Sequence, residues 1–222
     1  MFSMSQVSGD IYRYGWRELS TAPEEPGVYA WYAKLLIGSA DLNDFTENVN
    51  RLTSKGDDPR AYVTEALERL IFRRYHEDNY QVTVSGPLKP KYVGEAAHQT
   101  SLSQSLVERL CIDPTRLAII SETLSVAAPA FTAPLYIGMA TSLRERLMKH
   151  KTLIEKLRDA KSRKSTEEMM DGDAGFARQV VARQFDPTNL FVHVRLVNSI
   201  SNEHVDIENV LNRINFPIFG RN

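Results

Sequence analysis

Apolar residues recur along this chain in two rhythms, and the changes from one to the other mark out its elements. Residues 27 to 34, Gly-Val-Tyr-Ala-Trp-Tyr-Ala-Lys, follow the proline-rich turn Thr21 to Pro26 and are dense in aromatic and β-branched types, which predicts a buried strand. From Asp41 to about Lys55, and from Pro59 to His76, the spacing becomes helical, with Val63, Leu67, Leu70 and Ile71 on one face of the second segment. Pro59 suits a first helical turn. Tyr80 to Val84 alternates as a short strand, Lys91 to Gly94 reads as another, and residues 101–110 and 114–126 return to helical periodicity. The two prolines within Ala127 to Pro134 are expected to break that helix into a loop.

Leu135 to Met139 predicts a second core strand, and Ser142 opens a long helix whose apolar stripe is Leu143, Leu147, Ile154 and Leu157. Ser142 and Glu145 stand at the spacing of a capping box. The polar run 161–173 is expected to be a mobile connection, and Phe176 to Arg183 a short helix. Leu190 to Val197 predicts a third strand with Leu190, Val192, Val194 and Leu196 on its buried face. Val205 to Ile214 is the last expected helix, and residues 215–222 a terminal loop. These elements compose a small α/β unit from two separated pieces, residues 10–38 and 130–222, with a mostly helical insertion over 39–129. The pieces can still pair, because loop-closure entropy grows only with the logarithm of loop length.

Composition narrows the class. At 222 residues, with 42% hydrophobic and 25% charged, the chain is expected to be an ordinary globular protein and not a disordered one. Its single cysteine, Cys111, excludes a disulfide framework and a cysteine-rich zinc site, and points to a reducing, cytoplasmic setting. The N-terminus lacks a basic segment followed by an apolar run, and no stretch approaches the ~18 apolar residues of a membrane span. Neither secretion nor membrane insertion is expected. The net charge of −1 says nothing about partners, but residues 144–164 hold nine Lys or Arg against three acids. Such a stripe is either a solvated helix face or a phosphate-contacting one, with Arg144, Lys149 and Lys151 as candidate contacts. Within the insertion the corresponding candidates are Arg69, Arg73, Arg74, Lys89 and Lys91.

Two tripeptides frame the insertion: Gly27-Val28-Tyr29 before it and Tyr136-Ile137-Gly138 after it. Arg146 and His150 follow, four apart and on one face of the same expected helix, and Glu208 sits on the last helix with Asn222 at the end of the chain. A second tripeptide, Tyr92-Val93-Gly94, is followed at the matching positions by Leu102 and Leu106, which cannot replace Arg146 and His150.

In that order these motifs resemble the GIY-YIG nuclease superfamily, over about 120 of the 222 residues. Two departures stand out. The segment between the two tripeptides is much longer than the family's spacer, and the family's asparagine position falls on Gly220, with Asn222 two residues beyond. The resemblance implies a core with a central three-stranded antiparallel sheet flanked by helices. It also implies a metal-dependent endonuclease acting on double-stranded DNA, most like a stand-alone type II restriction enzyme. Tyr29 and Tyr136 would share the active site, Arg146 would engage phosphate, Glu208 would hold Mg²⁺ or Mn²⁺, and Asn222 would steady the site, with His150 at the position of the accompanying histidine.

Elementary chemistry is compatible with those roles. Phosphodiester hydrolysis needs a base for water, positive charge for the transition-state oxygens, and help for the departing oxygen. One carboxylate suffices for Mg²⁺, which keeps several waters and takes other ligands from substrate. Either His150 or a tyrosine could serve as the base. A restriction role favours two active sites and hence a homodimer. The alternatives are a non-catalytic DNA-binding module on the same scaffold, and an interaction protein in which these residues lie apart.

Overall fold

The computed structural model describes residues 11–77, 79–87, 91–97, 101–162, 175–197 and 202–220. Lys89, Asn222 and the polar connection beyond residue 162 lie outside them. The elements begin β1 (Ile11–Gly15), β2 (Gly27–Ala33), α1 (Ser39–Ser54), α2 (Arg60–Leu70), β3 (Tyr80–Val84), β4 (Tyr92–Ala96) and α3 (Gln104–Ile112). They continue α4 (Arg116–Phe131), β5 (Tyr136–Ala140), α5 (Leu143–Ser162), α6 (Gly175–Ala182), β6 (Leu190–Leu196) and α7 (Glu203–Asn215). The chain divides into two compact units, one of Met1–Leu36 with Ser121–Asn222 and the other of Ile37–Ile120.

The first unit is built on a four-stranded antiparallel sheet in the order β1-β6-β2-β5. It has one strand more than the three expected. β1 is short and only its fourth residue, Tyr14, is buried, so it leaves a weak alternating pattern in the sequence. What fixes it is a non-local contact: Arg13 pairs with His193 across the sheet and its guanidinium lies 4.1 Å from the Phe191 ring centre. β6 is buried on both faces at its start, with Phe191 enclosed as well as Leu190, Val192 and Val194, whereas Leu196, expected on the buried face, is only half-buried.

One face of β2 carries Tyr29 and Trp31 toward α5 and α6, where Trp31 stacks on Phe176 at 5.3 Å. Leu143, Leu147 and Ile154 of the expected α5 stripe are buried and His150 is buried beside them, while Leu157, its fourth member, is only half-buried. α5 starts as the capping spacing anticipates, the Glu145 amide donating to Ser142 Oγ at 3.5 Å. The opposite face of β2 carries Val28, Ala30 and Tyr32, which with Ile137 and the α7 residues Leu211 and Asn215 line a cavity of about 210 Å³.

The second unit packs α1, α2 and α3 around Phe45, Val49, Val63, Leu67, Leu110 and Leu117, all buried. β3 and β4 pair antiparallel with every residue exposed. The loop expected from Ala127 does not begin there, since α4 runs on to Phe131. Pro129 falls in its last turn, where the N–H that proline lacks removes one hydrogen bond without interrupting a longer helix. Among the described residues no helix is long and apolar enough to cross a membrane.

Pairing of β2 with β5 sets Tyr29 opposite Gly138 and Trp31 opposite Tyr136. A Cβ at position 138 would stand 2.5 Å from Tyr29 Oη and 2.8 Å from Tyr136 Cε1, so the ring of Tyr29 crosses the strand over a residue that must lack a side chain. Gly138→Ala is therefore expected to cost about 1–3 kcal/mol through overpacking, read as a lowered urea midpoint; an unchanged midpoint would show that the ring does not lie there.

Candidate active site

β2 and β5 bring together two tyrosines that are far apart in sequence. Opposed residues of antiparallel strands share a sheet face, so Tyr29 and Tyr136, diagonal across the pair, project the same way. Their ring centres are 6.2 Å apart. α5 supplies the rest: His150 stands edge-on to both rings at 5.8 Å from each. Tyr29 Oη and His150 Nε2 are hydrogen-bonded at 2.8 Å, and Arg146 Nε donates to the same oxygen at 3.2 Å. Thus Tyr29, Tyr136, Arg146 and His150 form one cluster, with a single phenol oxygen at its centre.

Burial within the cluster is uneven. Tyr29 is 2% exposed and His150 1%, whereas Tyr136 and Arg146 are half-buried. Desolvation, followed by the neighbouring Tyr136 phenol, pushes the Tyr29 hydroxyl far above the ordinary tyrosine range, and Arg146 offsets this only in part. Tyr29 therefore holds its proton at neutral pH. Arg146 can only donate to Oη, so His150 either accepts the phenol's proton at Nε2 or donates through Nε2–H, according to its tautomer. The bond through Nε holds the guanidinium beside the phenol oxygen.

Glu208 is positioned differently. It is half-buried on α7, on the helix face it shares with Leu211 and Asn215, three and seven residues on. Asn212 Nδ2 donates to its Oε1 at 2.7 Å, and among the described residues this is the hydrogen bond its carboxylate makes. α7 packs on β5, the edge strand that carries Tyr136, and on β2. The structure thus gathers four of the expected site residues directly, but it does not bring Glu208 to them: α7 covers the opposite face of the same two strands, the face of Val28, Ala30 and Ile137. No group of three or more His, Cys, Asp or Glu among the described residues could hold a metal ion. A single carboxylate fits Mg²⁺, which retains most of its waters, better than a cation that demands a protein cage.

The basic residues of α5 do not form one surface. Arg144 is committed to the preceding turn: its Nε donates to the Ala22 carbonyl at 2.7 Å, and Nη1 meets Glu24 Oε1 at 2.5 Å. Lys151 donates to the Trp16 carbonyl at 3.4 Å and lies 5.6 Å from the Trp16 ring centre. Lys149 is exposed. In the second unit Arg69 faces Asp41 at 3.9 Å, while Arg73 and Lys91 are exposed and Arg74 half-buried.

One contributor goes unassigned in the sequence. Phe176 of α6 packs 5.1 Å from both Tyr136 and His150 and 6.0 Å from Phe219, forming a dry floor beneath the cluster. Its signal is the apolar face Phe176, Ala177 and Val180, all buried, which marks a packed helix but not what it packs against. The Phe219 amide donates to the Leu135 carbonyl at 2.8 Å, which ties the end of the chain to the start of β5.

No protein family, no curated protein and no solved structure matches the chain.

Proposed function

We propose that this protein is a metal-dependent endonuclease that hydrolyses phosphodiester bonds in double-stranded DNA, with a GIY-YIG core and the 39–129 segment as its DNA-recognition element. A site-specific, restriction-like action by a homodimer is the biological form of that reading. The observation that carries it is the phenol oxygen of Tyr29 receiving Arg146 Nε and meeting His150 Nε2 beneath the half-buried Tyr136. The residues that meet are those whose order along the chain suggests the family.

Each residue has a role set by its surroundings. Arg146, held through Nε, presents a planar, permanently charged fork suited to the non-bridging oxygens of a phosphodiester. His150, enclosed and facing Tyr29, is a positioning group that fixes the phenol. Tyr136 is the less buried of the two phenols, so it is the one that reaches an attacking water. Glu208, oriented by Asn212, would hold the divalent cation, which when bound supplies charge for the departing oxygen.

Two substitutions test these roles. Glu208→Gln is expected to retain duplex binding and lose Mg²⁺-dependent nicking of supercoiled plasmid; undiminished cleavage removes Glu208 from the mechanism, and binding without cleavage by the wild-type chain favours the non-catalytic module. Arg146→Lys keeps the charge but loses the fork and the Nε–H held by Tyr29, so single-turnover cleavage is expected to fall by about 10²-fold or more. A change below about threefold would mean that charge alone matters.

A further inference from the structure

α7 carries apolar side chains on two sides, and its own unit covers one of them. Positions 204, 208, 211 and 215 turn toward the sheet, where His204 is buried and Leu211 lines the cavity against β2. On the solvent side, Ile207, Val210 and Ile214 follow at spacings of three and four residues and are 37%, 55% and 67% exposed. Three branched aliphatic side chains in one stripe are what the face of another helix covers. Phe216 ends α7 at φ 45°, in the left-handed region where glycine is the usual residue. It is 79% exposed, so its ring does not serve the core of its own unit.

The charges beside this stripe complement a second copy of themselves. Asp206 and Arg213 are exposed and stand two helical turns apart on one flank of the stripe. No base lies three or four residues from Asp206 and no acid three or four from Arg213, so neither has an opposite charge beside it on α7. Arg213 Nη1 donates to the Asn209 carbonyl of its own helix at 3.2 Å. Ile207 with Ile214, and Asp206 with Arg213, are each centred within half a residue of Val210. We infer that α7 pairs antiparallel with α7 of a second copy of this chain, about a two-fold axis at Val210. Ile207 then packs on the second copy's Ile214, and Asp206 meets the second copy's Arg213, as a self-complementary interface requires. Parallel pairing would instead set Asp206 against Asp206. Nucleic acid is a poorer occupant, since Glu203 and Asp206 outnumber Arg213 along the stripe. The inference rests on the homodimeric form of the endonuclease reading and names the surface that forms it.

The test is sedimentation equilibrium of the full chain up to about 100 µM. One helix from each copy covers less than the ~800 Å² per partner of a standard interface, so the dimer is expected to dissociate in the micromolar range. Val210→Asp, which sets two carboxylates together at the axis, is expected to weaken the dimer at least about 30-fold, and Asp206→Arg at least about 10-fold. The swap of Asp206→Arg with Arg213→Asp restores opposite charges across the axis and is expected to return affinity to within about threefold of the wild type. Single variants that dimerise as the wild type does, or a swap no tighter than Asp206→Arg, overturn the pairing. A wild-type chain that stays monomeric overturns it and the homodimer together. Plasmid nicking reads the endonuclease separately: a dimeric wild-type chain without Mg²⁺-dependent nicking contradicts that reading and leaves the pairing standing. Circular dichroism of each variant is expected to show the helix content of the wild type, because all three positions are exposed.

Discussion

The organising constraint of the first unit is a phenol oxygen placed where water cannot reach it. Leaving the Tyr29 hydroxyl unpaired there would cost about 1–3 kcal/mol, and the fold avoids this by drawing two polar groups from one turn of α5. Those groups can arrive only if the Leu143, Leu147 and Ile154 stripe seats the helix on the sheet in one rotational setting. They also require β5 to pair with β2 in the register that sets Gly138 under the ring. A change in any of the three would leave either the phenol or the guanidinium with an unanswered hydrogen bond.

The same constraint explains how a long insertion is tolerated between two strands that must pair. β2 and β5 are separated by more than a hundred residues, yet closing a loop of that length adds little to the cost of a shorter one. The apolar contacts of Trp31, Phe176 and Phe219 on one face, and of Val28 and Ile137 on the other, supply the favourable term that pairing needs.

Much of this is legible in the chain because it rests on periodicity. The strands around Tyr29, Tyr136 and Val192 and the buried stripe of α5 follow from spacing alone, as does the (i, i+4) relation of Arg146 and His150. What spacing cannot carry is contact between distant segments. Arg144 and Lys151 read as members of a uniform basic run, yet their partners include backbone carbonyls at Ala22 and Trp16, more than a hundred residues away. β1 is hidden for the same reason, since its place depends on Arg13 meeting Phe191. The helix that continues past Ala127 reflects the opposite bias, in which a proline weighs more as a breaker than its place in a last turn warrants. Glu208 emerges from motif order alone, and nothing in its spacing tells that α7 covers the sheet face opposite the two tyrosines.

The central claim is that Tyr29 is a sealed phenol bonded to α5, and nuclear magnetic resonance of the chain labelled with ¹³C at tyrosine Cζ tests it most directly. With the Tyr29 signal assigned by its loss in Tyr29→Phe, the resonance is expected to keep its protonated position beyond the ordinary tyrosine range, for as long as the chain stays folded. A Tyr29 signal that titrates in the folded chain like an exposed tyrosine would contradict the account, because an oxygen open to solvent could not be the centre on which Arg146 and His150 converge.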